Sequence, residues 1–163
     1  MKKKIIIILV ILATVSISGC INSPLDNINE IIPNLSQHIV NGDNNYNEAV
    51  KAVNNLDYAI ADEKAKTAKS EFNEAQNNLL EINKYTDNIN ETLYLQYIQL
   101  LKEEINLKQN ATKNLQLATE YFESGSISSA NSYVDIANSL MDQGITIQKE
   151  REQIIKDNPG KFQ

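Results

Sequence analysis

From Asp43 onward the apolar residues recur at steps of three and four, the spacing that lines one face of an α-helix, and this commits the chain to an all-helical fold. Between Asp43 and Thr86, Tyr46, Ala49, Val50, Val53 and Leu56 form one stripe. Tyr58, Ala61, Ala65, Ala68, Phe72, Ala75, Leu79 and Ile82 form a second. The stripes join at Asn54-Asn55-Leu56-Asp57-Tyr58, where the helix either turns or continues with a shifted phase. Asn45 with Glu48, and Asn88 with Glu91, have the spacing of capping pairs. After Asp87-Asn88 a helix is predicted over about Ile89 to Glu123, and its first half is apolar around more than one core contact requires. Ser124-Gly125-Ser126 ends it.

A last helix is predicted from about Ile127 to Lys156, with a core face of Ala130, Tyr133, Val134, Ala137, Leu140, Met141, Ile147 and Ile154. Gly144 is a weak point within it, costing about 1 kcal/mol relative to alanine. Asn158-Pro159-Gly160 is a stop, and no segment alternates polar and apolar residues long enough to make a strand. The expected architecture is an elongated antiparallel bundle of three to four helices over residues 34–157, followed by a C-terminal tail at 158–163. Upstream, Pro33 is expected to open a short helix, Asn34 to Val40, closed by Asn41-Gly42. Residues 20–33 then read as a tether.

The N-terminus addresses the chain to a membrane. Lys2, Lys3 and Lys4 precede an apolar run from Ile5 to Val15, the layout of a secretory signal over residues 1–19. Spanning a bilayer takes about 20 apolar residues, and this run is interrupted by Thr14, Ser16 and Ser18, which argues against an uncleaved anchor. Ile17-Ser18-Gly19-Cys20 resembles the lipobox of prokaryotic lipoproteins, in which the cysteine is diacylglyceryl-modified and becomes the first mature residue. The resemblance implies lipidation at Cys20 and a place on the extracytoplasmic face of the cell membrane. Two acyl chains suffice for stable anchoring. Cys20 is the single cysteine, so a disulfide within one chain is excluded.

An offset of 69 residues places Ala49 on Ala118, Val53 on Phe122, Tyr58 on Ile127, Ala61 on Ala130, Ala68 on Ala137 and Phe72 on Met141. Alanines seven apart after a turn let two helices approach closely, so Ala130 and Ala137 are expected to be buried near the Gly125 turn. The segment from Ala118 to Ala137, through Phe122, Gly125, Ile127, Ala130 and Tyr133, is similar to the helix-turn-helix of tetratricopeptide repeats. That likeness implies a short hairpin repeat as the alternative architecture. A repeat at the intermediate 34-residue step is missing, and the helices are long for stacked hairpins.

Without residues 1–19 the chain keeps 12 basic residues against 21 acidic, a net charge of −9. Such an acidic body argues against nucleic-acid binding, which needs a basic stripe. Three sequons, at Asn34, Asn90 and Asn110, are about what so asparagine-rich a sequence carries by chance. His38 is the only histidine, which leaves little material for a zinc site or a serine-histidine triad and reads as a surface or capping residue. Asp62-Glu63 and Glu103-Glu104 lie beside lysines as solvated faces do.

No cofactor, metal or catalytic set is expected. Tyr94 and Tyr97, with Ile98 and Leu101, flank the broad apolar face of the third helix. They are either core or the contact surface for a protein partner, since aromatic residues are enriched at interface hot spots. The expected function is a non-enzymatic, lipid-anchored binding or scaffold protein of the cell envelope. The alternative is a small-molecule sensor or carrier with its ligand between helices.

Overall fold

A computed structural model describes residues 23–162. Four helices follow in order: α1 (Pro24–Asn54), α2 (Tyr58–Thr86), α3 (Thr92–Glu123) and α4 (Ile127–Asp157). Each spans about 45 Å at 1.5 Å per residue. α1 pairs with α2 and α3 with α4 as antiparallel hairpins; α3 also packs on α2 and touches α1. The result is an antiparallel helical bundle in which α3 is central.

α1 corrects the expected tether and short helix. It opens at a capping box, with the Asp26 amide donating to Ser23 Oγ at 3.2 Å and the Ser23 amide donating to Asp26 Oδ2 at 2.9 Å. From there it runs through both Pro33 and Gly42 without a break. Ile28, Leu35 and Ile39 are buried in one cluster with Ala75, Leu79 and Ile82 of α2. Each such burial is worth about 1.5–3 kcal/mol, which together outweigh about 3 kcal/mol for an interior proline and about 1 for the glycine.

Gly42 is therefore no stop. The Phe72 ring occupies the space beside it, and a Cβ there would lie 2.5 Å from Phe72 Cε1. Asn45 does not cap a helix either; its side-chain amide donates to the Asn41 carbonyl at 2.9 Å within α1. Nor do Asn88 and Glu91 cap α3, since the N-cap residue Glu91 makes no side-chain cap bond. Its carboxylate takes the Lys161 ammonium instead, at 2.7 Å.

The chain turns at Asn54–Tyr58. The Asp57 amide donates to the Ala52 carbonyl (2.9 Å) and the Leu56 amide to the Val53 carbonyl (3.0 Å), the paired bonds of a Schellman stop. The α3–α4 turn repeats them, from Ser126 to Tyr121 (2.9 Å) and from Gly125 to Phe122 (3.0 Å). Both stops hold one residue at positive φ, Leu56 at 63° and Gly125 at 77°.

The core divides into two clusters along the long axis. Near the start of α1 it is aliphatic and aromatic, from Ile28 to Ile105. Toward the two turns it is rich in alanine, with Ala49, Ala61, Ala65, Ala68 and Ala137 packed around Phe72, Leu115 and Met141. Ala130 and Ala137 are fully buried. Tyr58 stacks on Phe122 at 5.0 Å between ring centroids, which fastens the start of α2 to the end of α3. The residues after α4 fold back, so that the Tyr94 hydroxyl donates to the Lys161 carbonyl at 2.6 Å and Phe162 stacks on Tyr94 at 4.6 Å.

Candidate functional site

Cys20 lies outside the described residues. The four residues weighed as a partner interface are core: Tyr94, Tyr97, Ile98 and Leu101 are all buried in the cluster with Ile28, Leu79 and Ile82. The wide apolar face of α3 is used internally, because α3 meets three other helices. Phe162 packs on it at Tyr97, 5.4 Å between ring centroids, while Leu95 stays 39% exposed. Of the two readings, core or contact surface, burial in the bundle favours the core for these four residues. His38 caps no helix; it lies within α1 with its side chain 24% exposed, and its Nδ1 is 2.8 Å from Glu71 Oε2, where Asn41 Nδ2 also donates at 3.3 Å.

Contrary to the solvated face expected at Glu103-Glu104, Glu104 belongs to a charged layer between the two hydrophobic clusters, and Glu103 alone is exposed. Glu104 and Lys108, one turn apart on α3, have no exposed surface. Arg151 comes from α4 and donates through Nε to Glu104 Oε2 at 2.8 Å, while its NH1 donates to the Tyr97 hydroxyl at 3.1 Å. Its guanidinium carbon sits 5.4 Å from the Tyr97 ring centroid. Lys108 Nζ donates to Asp43 Oδ2 of α1 at 2.7 Å and to Gln148 Oε1 of α4 at 2.9 Å, and pairs with Glu104 Oε1 at 2.9 Å. Gly144 gives the lysine room, since a Cβ there would lie 3.1 Å from Lys108 Cγ. The glycine that weakens α4 as a helix thereby admits the stem of a buried lysine.

Two carboxylates and two cations balance within this layer. Burial pushes the Asp43 carboxyl above the usual carboxylate range, and the attraction of Lys108 only partly offsets it. Glu104 and Lys108 have no exposed surface, and their mutual contact is ionic, leaving Glu104 Oε1 without a hydrogen bond. Their work is to tie α1, α3 and α4 together at one height. A heptad signal for the layer was present. Tyr97, Leu101, Glu104, Lys108, Ala111, Leu115 and Ala118 follow one another by alternating four and three, which puts both charges at core positions of the stripe.

Outside the core, a groove of about 590 Å³ runs between α3 and α4, lined by Glu103, Leu107, Ser139, Asp142, Gln143, Thr146 and Ile147. It is open to solvent and mixed in polarity. Among the described residues no three His, Cys, Asp or Glu side chains are grouped to hold a metal ion. No helix among them is long and apolar enough to cross a membrane. The chain matches no family model, no curated protein and no solved structure.

Proposed function

We propose that this is a lipid-anchored, extracytoplasmic helical binding or scaffold protein of the cell envelope, without catalytic activity of its own, held in the membrane through Cys20. The observation that carries the reading is the junction of address and fold. The lipobox-like Ile17-Ser18-Gly19-Cys20 ends three residues before Ser23, where a capping box starts a helix of 31 residues. An acyl anchor at Cys20 would be coupled to a rigid rod through only Ile21 and Asn22. Such a rod holds its far end about 45 Å from its near end, which suits presentation of a surface to another envelope component.

Replacing Cys20 by serine tests the anchor. The variant is expected to leave the membrane fraction on a high-salt wash while keeping its helical content, because the cysteine lies outside the bundle. The mature wild-type chain should show by intact mass a diacylated N-terminus at Cys20. Retention of the serine variant in the washed membrane, or a mature chain that keeps Met1, would refute the reading.

The groove along α3 and α4 favours a sensor or carrier as the second reading. Leu107→Trp would fill it, and loss of a small ligand from the purified protein on that change, with melting preserved, would decide for the carrier.

A further inference from the structure

The two Schellman stops offer an internal comparison. Both need a residue at positive φ, where an L side chain is strained and glycine is not. The α3–α4 stop has glycine there; the α1–α2 stop has Leu56, which is 71% exposed. The Leu56 side chain thus serves neither the backbone, which glycine would suit better, nor the core, which it does not enter. Four large apolar side chains among the described residues are at least half exposed, and three share this end of the bundle: Leu56, Ile60 (50%) and Ile127 (52%). The Tyr58–Phe122 stack holds the two turns side by side.

The same end is acidic. Residues 48–66 and 116–135 carry seven carboxylates against three lysines. Lys64 is already taken by Glu48 at 2.7 Å and Lys66 by Asp62 at 2.5 Å. Within these two stretches Asp57, Glu63, Glu120, Glu123 and Asp135 are exposed and outside any ion pair, Lys51 is the one lysine without one, and Lys66 also faces Glu120 and Glu123. A second copy presenting the same acidic end would be repelled, and so would an anionic lipid surface.

We infer that the turn end of the bundle is a docking surface for a cationic amphipathic segment of a protein partner, with Leu56, Ile60 and Ile127 as its apolar contacts and the surrounding carboxylates as its ionic rim. The inference rests on the binding-protein reading and names the chemistry of its partner.

The test is a titration of the full chain, in detergent, with a labelled amphipathic helical peptide of lysine and leucine, beside a glutamate-leucine peptide of equal apolar content. The lysine peptide should bind, more weakly as salt rises, and the glutamate peptide should not. Leu56→Gly relieves the backbone while removing the side chain, so the fold is not at risk; its melting temperature should rise. Combined with Ile127→Ser, it should weaken the lysine peptide at least tenfold. Equal binding of both peptides, or undiminished binding by the double variant, would overturn the proposal. So would sedimentation showing a dimer, or flotation with zwitterionic vesicles, that Leu56→Gly abolishes, since each assigns the surface to another occupant. The titration does not need the acyl anchor, so a negative result here leaves the Cys20→Ser outcome standing, and the reverse.

Discussion

Glu104 is the residue on which most of the buried charge depends, because it faces Lys108 through one carboxylate oxygen and Arg151 through the other. Removing its charge leaves Arg151 in the interior without a carboxylate partner and Lys108 with Asp43 alone. Glu104→Gln keeps the shape and should therefore cost about 3–5 kcal/mol, as breaking one side of a buried pair does; urea unfolding followed by circular dichroism reads it directly. Asp43 behaves differently, since burial holds its folded-state pKa above the unfolded value. A carboxyl of that kind binds its proton more tightly when folded. It favours folding below the unfolded pKa and loses that contribution as pH rises through the folded one. The stability of the wild type relative to Asp43→Asn should therefore decline as pH rises from about 4 toward neutrality. A difference that instead grows over this range would mean that Lys108 dominates the site.

At the scale of the helix, four stripes of alternating four- and three-residue steps explain both what was legible and what was not. In α2 the stripe from Tyr58 to Ile82 is unbroken apolar sequence, and every member from Ala61 onward is buried. In α1 the same steps run through Ile28, Ile32, Leu35, Ile39, Gly42, Tyr46, Ala49 and Val53, with Ile32 partly buried. Here Pro33 and Gly42 read as start and stop, because local preference speaks against a helix and the ring that fills the gap at Gly42 comes from α2. The charged members of the α3 and α4 stripes were hidden for a related reason. Lysine, glutamate and arginine are almost never fully buried without partners, and the partners here lie on other helices. The turn at Gly125 was legible as punctuation, since its bonds are local, whereas at Leu56, with no glycine to mark the stop, the sequence left a turn and a shifted phase equally open. Gly42→Ala isolates the tertiary effect: propensity alone would favour alanine by about 1 kcal/mol, but its Cβ would enter the Phe72 ring. A net loss of about 1–3 kcal/mol is expected from overpacking, and a raised melting temperature would show that the two helices can move apart freely.

For the whole molecule, the charged layer separates two cores of different character, and α4 meets the rest of the bundle mainly through α3. An alanine-rich seam is smooth and tolerates sliding by a turn, whereas Arg151 and Gln148 on α4 find Glu104 and Lys108 on α3 in one register alone, with Asp43 fixing α1 at the same height. The layer therefore acts on alignment more than on stability, in keeping with the small net worth of buried ion pairs once desolvation is counted. Replacing it entirely, as Asp43→Asn, Glu104→Leu, Lys108→Met and Arg151→Leu together, should leave the melting temperature unchanged or raised, unlike Glu104→Gln alone. The cost should appear instead as loss of a single alignment, seen as doubled amide resonances and faster hydrogen exchange along α4. If the fourfold variant melts well below the wild type and yet gives one sharp set of resonances, the layer contributes stability and the apolar seams themselves set the register.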